Sequence, residues 1–205
     1  MKRQILKISV VAALVLGAAS VANAKNNAQV TITGTVSDVS CDITSGVKNG
    51  DVSLGNHKPD DFKPGAGSNS LLEGKFVIPG YETFSVGVGG CDGTVAAKKS
   101  LKLLVTGATI ASTTDVFSDG QGNTQGFVPN AGVALTYKVG DSSTATEELL
   151  KKDSKIVLAS SSDKDPKVEA LNNKSVTFKA YMASVAEKPS PQQIHAPLNF
   201  SIAYE

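Results

Sequence analysis

The sequence predicts an all-β protein, and three observations point to that class. Val and Thr recur throughout a chain that contains 19 glycines and no Trp. Apolar residues alternate with polar ones in short runs, and turns rich in Gly, Pro and Asp separate the runs. Only residues 144–152 have a helical pattern, with Thr146 as the expected N-cap. The pattern gives about seven or eight strands, a number typical of a β-sandwich.

The first 24 residues have the pattern of a signal peptide. Basic residues precede an apolar run over residues 8–19, and the small residues Ala22 and Ala24 suit a signal peptidase. The run is too short to span a membrane comfortably. We therefore expect cleavage after Ala24 and export of a mature chain of 205 − 24 = 181 residues. An uncleaved anchor is the alternative.

The strands of the mature chain are expected in the following order. The first covers residues 30–36, and a second is expected within residues 43–54, after a turn. Further strands are expected at residues 84–88, 101–105, 133–137, 156–158, 176–182 and 198–204. Long polar segments are expected to be loops, at residues 57–69, 113–128, 160–165 and 184–197.

Both ends of the mature chain have an apolar strand pattern. Four residues share one face of the first strand: Val30, Ile32, Gly34 and Val36. Four residues share one face of the last strand, before the terminal Glu205: Leu198, Phe200, Ile202 and Tyr204. A strand without a neighbour leaves an exposed edge that must be covered. We therefore expect a spare strand at one end to complete an unpaired strand at the other end of a second copy.

The chain has two cysteines, Cys41 and Cys91. In an exported protein such a pair most simply forms one intrachain disulfide. A metal pair or a redox pair is the alternative. The chain contains no C-x-x-C motif, and His57 and His195 lie far from both cysteines in the sequence. These two observations favour the disulfide.

Composition and motifs argue against several functional classes. The chain has 20 Lys and Arg against 19 Asp and Glu, without a basic patch for nucleic acid. It has no nucleophile elbow, P-loop, zincin motif or dinucleotide fingerprint, so we expect no enzyme activity and no cofactor. The two histidines are too few for a three-histidine metal site. Residues 119–123 lack the bidentate acid of a calcium loop and are interpreted as a flexible turn.

Four blocks of the sequence carry a resemblance to a known family. They are Gly34-Thr35-Val36 before Cys41, Phe84-x-Val86-x-Val88-x-x-Cys91-Asp92, Val176-Thr177-Phe178-Lys179-Ala180-Tyr181, and Phe200-x-Ile202-x-Tyr204-Glu205. In this order, after a signal peptide, they resemble the fimbrial (pilus) subunits of the chaperone–usher pathway. Within these subunits they are similar to the type 1 fimbrial major-subunit family. The spacing between the two cysteines is longer than this family leads us to expect.

The resemblance implies an incomplete immunoglobulin-like β-sandwich that is completed by donor-strand complementation. Residues 25–36 would be the N-terminal donor extension, with Val30, Ile32, Gly34 and Val36 as the donor residues. Residues 37–205 would be the pilin domain, with Phe200, Ile202, Tyr204 and Glu205 in the strand that flanks the groove. A donated strand at a sheet edge contributes main-chain hydrogen bonds and places alternate side chains in pockets.

The resemblance also implies the partners and the location of the chain. A periplasmic chaperone would fill the groove first and hold the terminal carboxylate, and an outer-membrane usher would assemble the subunits. The product would be a fimbrium on the bacterial surface that supports adhesion, and a major subunit is favoured over a minor adaptor or adhesive pilin. A secreted β-sandwich binding module that is complete by itself is the second hypothesis, and an enzyme is the third.

Overall fold

The structure is a computed structural model that describes residues 38–47, 50–140, 144–161 and 167–205. These residues belong to one compact unit, residues 36–205. The signal peptide and the donor strand at residues 30–36 lie outside the described residues. None of the helices in the described part of the chain is long or apolar enough to span a membrane.

Ten strands are described, and every pair of neighbouring strands is antiparallel. They are β1 (Val39–Ser45), β2 (Lys63–Pro64), β3 (Phe76–Val77), β4 (Glu82–Gly93), β5 (Ser100–Gly107), β6 (Ala131–Val139), β7 (Glu148–Leu149), β8 (Ser154–Ser160), β9 (Lys174–Ser184) and β10 (Leu198–Tyr204). The helices of the described residues are short 3-10 turns, at Pro59–Asp61, Gly65–Gly67, Ser70–Leu72 and Val168–Leu171.

The strands form two sheets. In the larger sheet β9 is central: β4 and β3 pair with one of its sides, and β6 pairs with the other. β1 lies outside β4, β2 lies outside β3, and β7 lies outside β6. The smaller sheet has the order β10-β5-β8. The prediction of an all-β sandwich is confirmed, and the two antiparallel sheets are consistent with the immunoglobulin-like sandwich of fimbrial subunits.

The main core lies between the two sheets. The inward residues of β5 are Leu101, Leu103 and Val105, and all three are fully buried. They belong to one apolar cluster with Val176 and Phe178 of β9. Alternate residues of each strand enter this cluster because successive side chains of a strand point to opposite faces.

A second apolar cluster covers part of the outer face of the larger sheet. Its members come from the sheet and from the loops that cross it: Leu72, Val77, Ile110, Val116, Ala134, Tyr181 and Ala183. Beside this cluster, Lys179 Nζ lies 2.9 Å from the Glu147 carboxylate, which also accepts a 2.5 Å hydrogen bond from Thr136 Oγ1. The ion pair attaches the segment before β7 to the sheet.

The helix predicted at residues 144–152 is wrong. The structure has no helix in residues 144–152, and β7 within this segment pairs with Thr136 and Tyr137 of β6. Leu150 is fully buried in the main core, and its N–H donates to the carbonyl of Leu135 at 2.8 Å. These sheet contacts outweigh the weak helix preference of a short segment.

Two other boundaries differ from the sequence prediction. Residues 50–58 contain no strand in the structure, although a second strand was expected within residues 43–54. β4 continues beyond the predicted strand at residues 84–88, through Cys91 to Gly93, because β1 pairs with it as far as Val39 and Gly93. β1 itself ends at Ser45, and the apolar residues Val52 and Leu54 remain outside the sheet.

Candidate functional site

The last strand, β10, has one apolar face that is only half covered. Leu198, Phe200, Ile202 and Tyr204 are partly buried and pack against the main core, whereas Asn199 and Ser201 are exposed. β10 lies at an edge of the smaller sheet, so β5 covers it on one side only. The predicted strand at residues 198–204 is confirmed by β10.

The backbone of β10 has hydrogen-bonding groups directed away from β5. Glu205 and Ser100 exchange two backbone hydrogen bonds, of 2.7 and 3.1 Å. Bonded and non-bonded pairs alternate along an antiparallel ladder, so residues 199, 201 and 203 also bond to β5. The N–H and C=O groups of residues 198, 200, 202 and 204 therefore point to the other edge. No strand of the described residues pairs with that edge.

A cleft of about 430 Å³ adjoins the Leu198 end of this edge. Larger-sheet residues that line it are Phe84, Val133, Leu135 and Ala180. The residues before and at the start of β10 that line it are Ile194, His195, Ala196, Pro197, Leu198 and Phe200. Residues that follow β1 complete the lining, at Val47, Gly50, Asp51, Val52 and Leu54, together with Ser45. We call the open edge of β10 and this cleft the C-terminal groove.

The residues 51–57 beside the cleft also have unengaged backbone groups. No backbone–backbone hydrogen bond joins them to another part of the described chain. Leu54 is partly buried against the main core, and its carbonyl lies 2.9 Å from His57 Nε2. This segment and β10 therefore give the C-terminal groove two walls with main-chain groups available for hydrogen bonding.

An aromatic cluster fills the floor of the groove near its middle. The ring centroid of Phe200 lies 5.5 Å from that of Phe178 and 6.3 Å from that of Phe84, both in edge-to-face arrangements. Phe84 and Phe178 stack with centroids 5.0 Å apart. Such pairs are favourable beyond their buried area, so they hold Phe200 in place. Phe84 and Phe200 also line the cleft, so this aromatic cluster borders it.

The far end of β10 is fixed by polar contacts. Tyr204 Oη accepts a 2.8 Å hydrogen bond from the N–H of Ala96 and donates a 3.1 Å bond to its carbonyl. The Glu205 carboxylate lies 2.7 Å from Lys155 Nζ and 3.4 Å from Lys102 Nζ. The hydrogen bond from Lys155, together with the charge of Lys102, lowers the pKa of Glu205. These contacts hold the end of β10 in register with β5.

The disulfide fixes where the N-terminal segment leaves the sandwich. Cys41 and Cys91 are bonded to each other and connect β1 to β4. Just before them, the carbonyl of Asp38 accepts a 2.8 Å hydrogen bond from the N–H of Thr94. Thr94 lies two residues before Ala96, which bonds Tyr204. Asp38 is therefore near the Tyr204 end of the groove. β1 then runs toward the cleft, which Ser45 lines, so β1 and β10 run in opposite directions.

Both histidines lie in exposed loops. His195 lines the cleft, and its Nδ1 is 2.9 Å from the carboxylate of Asp119. Partial burial disfavours the ionised form of Asp119, but the N–H of Gln121 and the ring of His195 outweigh it and lower the pKa. The described residues include no group of three or more His, Cys, Asp or Glu arranged to hold a metal ion. Residues 119–123 form a turn in which the Asp119 side chain accepts from the N–H of Gln121.

Two parts of the groove were not predicted from the sequence. One is the wall at residues 50–54, whose Val52-Ser53-Leu54 alternation suggested only a strand. The other is the segment before β10, which was interpreted as a proline-containing loop. The donor residues Val30, Ile32, Gly34 and Val36 lie outside the described residues, so their position relative to the groove stays a prediction.

Comparison with known proteins identifies the family. The family model described as "Fimbrial protein" matches residues 30–205, which include the whole described sandwich. A search of curated proteins found no match. The matched residues cover most of the chain and extend from the predicted donor strand to the end of β10. The chain therefore belongs to the fimbrial protein family and is a fimbrial subunit of the chaperone–usher type.

Proposed function

We propose that this subunit polymerises by donating its N-terminal strand, residues 25–36, to the C-terminal groove of a neighbouring copy. The observation that supports the proposal best is the open edge of β10. Its half-buried apolar side chains and its outward backbone groups occur on the same residues, at positions 198, 200, 202 and 204. An added strand with apolar residues at every second position would cover these side chains and would also bond to the outward backbone groups.

The direction of the donated strand follows from where the N-terminal segment leaves the sandwich. Asp38 lies at the Tyr204 end of the groove, and the cleft lies at the Leu198 end. If subunits repeat along a fibre in the same orientation, the segment preceding Asp38 enters the next subunit at its cleft end. The donor strand then runs antiparallel to β10. Such a head-to-tail contact does not close on itself, so it propagates as a filament.

This direction assigns a position to each donor residue. Residues 30–36 and residues 198–204 have the same length, about 20 Å at roughly 3.3 Å per residue. Val36, which is nearest to the donor's body, would fill the cleft beside Leu198. Gly34 would lie beside Phe200, and we expect the packed aromatic rings there to leave little depth for a side chain. Ile32 and Val30 would follow toward the Tyr204 end.

The partners of the subunit follow from the same open edge. An unpaired apolar edge promotes aggregation, so a periplasmic chaperone would cover β10 before assembly. The chaperone would hold the terminal carboxylate of Glu205, and an outer-membrane usher would exchange the chaperone for the next donor strand. We infer that the assembled fimbrium lies on the bacterial surface and supports adhesion. We further infer that the signal peptide, residues 1–24, directs export to the periplasm.

A single substitution in the donor strand tests the proposal. Burying an Ile side chain contributes about 1.5–3 kcal/mol, and Ile32→Asp removes that contribution and places a charge in an apolar site. We expect Ile32→Asp to leave the subunit folded and chaperone-bound but absent from fibres as a donor. Fibre yield is measured against periplasmic complex, with SDS-resistant, heat-sensitive ladders as the indicator of polymer.

Thr33→Ser is the matched control, because residue 33 faces away from the donor residues and its substitution should leave the yield unchanged. Fibres at the wild-type yield from Ile32→Asp would refute the donor-strand proposal. A chain that remains monomeric in both variants would instead support the hypothesis of a self-complete binding module.

A further inference from the structure

The segment that precedes β10 forms one wall of the cleft and makes few hydrogen bonds with the larger sheet. We call residues 190–197 the strap. Ile194, Ala196 and Pro197 of the strap line the cleft. Within residues 191–197, the one backbone–backbone hydrogen bond among described residues runs from the N–H of Asp119 to the carbonyl of His195, at 3.0 Å. The position of this wall therefore depends mainly on side-chain contacts.

Three side chains of one neighbouring loop, residues 119–130, hold the strap. The Asp119 carboxylate contacts His195 Nδ1 at 2.9 Å. Asn130 Oδ1 accepts from the N–H of Ser190 at 3.2 Å and from Gln192 Nε2 at 2.5 Å. Asn123 holds the middle of the strap, next to Ile194. None of these three side chains lines the cleft.

Asn123 makes a two-point contact with the backbone of the strap. Its Nδ2 donates to the carbonyl of Gln193 and its Oδ1 accepts from the N–H of Gln193, both at 2.8 Å. Its Nδ2 also lies 3.1 Å from the carbonyl of Gly120. Gly122 has φ of +84°, and a Cβ there would collide with the side chain of Gln193. The loop and the strap thus approach closely at this point.

We propose that Asn123 is a positioning residue that sets the width of the cleft and thereby limits the size of the donor side chain that enters it. This inference rests on the proposed function, in which Val36 of the incoming subunit fills the cleft. A strap held at Gln193 keeps Ile194 in place, so a larger side chain must displace it. Without the Asn123 contact the strap moves outward more easily, and the cleft discriminates less by size.

The test measures size selectivity rather than assembly alone. The mature chain, in the periplasmic complex in which it is recovered, is mixed with synthetic peptides of residues 25–37 that carry either Val36 or Val36→Trp. Native mass spectrometry follows the rate at which each peptide enters the subunit. In the wild-type chain we expect the Val36 peptide to enter about tenfold faster, because overfilling a packed site is unfavourable.

In Asn123→Ala we expect this ratio to fall to about threefold or less. Asn123→Asp keeps one of the two hydrogen bonds to Gln193 and should give an intermediate ratio. Gln121→Ala, on the exposed surface of the same loop, is the matched control and should leave the ratio unchanged. Thermal unfolding of each variant verifies that the sandwich remains folded.

The proposed function and the role of Asn123 have different contradicting outcomes in this experiment. If neither peptide enters the wild-type groove, the proposed function fails. If the Val36 peptide enters normally and the ratio in Asn123→Ala equals the wild-type ratio, the inference about Asn123 is overturned while the proposed function stands. A ratio that also falls in Gln121→Ala would assign selectivity to the loop in general and would equally overturn the role of Asn123.

Discussion

Phe200→Ala should destabilise the complemented subunit more than the open one. Phe200 is partly buried, and its ring contacts Phe178 and Phe84. Truncating a fully buried Phe typically costs about 3–5 kcal/mol, and a half-covered ring loses about half of that, or about 2 kcal/mol. When a donor strand covers the ring, the full cost applies. The difference of about 1–3 kcal/mol should appear as weaker binding of the donor, by roughly 5- to 150-fold.

The assay uses the Ile32→Asp background, so that no copy can act as a donor and the groove stays open. Chemical denaturation is followed with and without a saturating wild-type peptide of residues 25–37. Leu158→Ala is the control, because Leu158 is a buried residue of β8 at the opposite edge of the smaller sheet. Its loss of stability should be the same in both states.

Donor binding beside Phe200 is refuted if Phe200→Ala lowers the free energy of unfolding by the same amount with and without the peptide. That result would mean that the donor leaves the ring as exposed as before. It would exclude β10 as the strand beside which the donor lies.

Two further predictions concern the stability of the sandwich. Cys41→Ser removes the crosslink to Cys91 and should lower the free energy of unfolding by about 2–5 kcal/mol, and a wild-type chain equally stable before and after reduction would contradict this. Glu147→Gln should cost about 1–2 kcal/mol at pH 7, measured by denaturant titration. Partial burial opposes ionisation, but hydrogen bonds from Thr136 and Lys179 lower the pKa of Glu147 below 4.5. The ionised carboxylate therefore stabilises the fold fully above pH 4.5, and this stabilisation is lost as the pH falls below that value. The free energies of unfolding of the wild-type chain and of Glu147→Gln should converge in acid. A constant difference between them would count against the ion pair.

The sequence predicts strands well where one face is buried and the alternation is regular. β5, β9 and β10 follow this pattern because their inward residues enter one core. The segment at residues 144–152 was mispredicted because burial of Leu150 and pairing of β7 with β6 are tertiary effects that local propensity does not contain. The extension of β4 through Cys91 likewise depends on its pairing with β1.

The site was predictable only in part, for a related reason. The apolar face of β10 is visible as an alternation of Phe200, Ile202 and Tyr204 with polar residues. The strap has no such periodicity, since its position depends on hydrogen bonds to a loop about 70 residues earlier, such as Asn123 to Gln193. Contacts of this kind join irregular segments that are distant in sequence, and no local pattern identifies them.

A density map of the assembled fibre would show directly which groove the donor strand occupies. The chain is traced backward from Asp38 to find which groove the donor residues occupy. We expect residues 30–36 to run antiparallel to β10 of the neighbouring subunit, with Val36 in the cleft beside Leu198. A segment that folds back into its own groove, or a fibre in which the groove beside β10 stays empty, would contradict it.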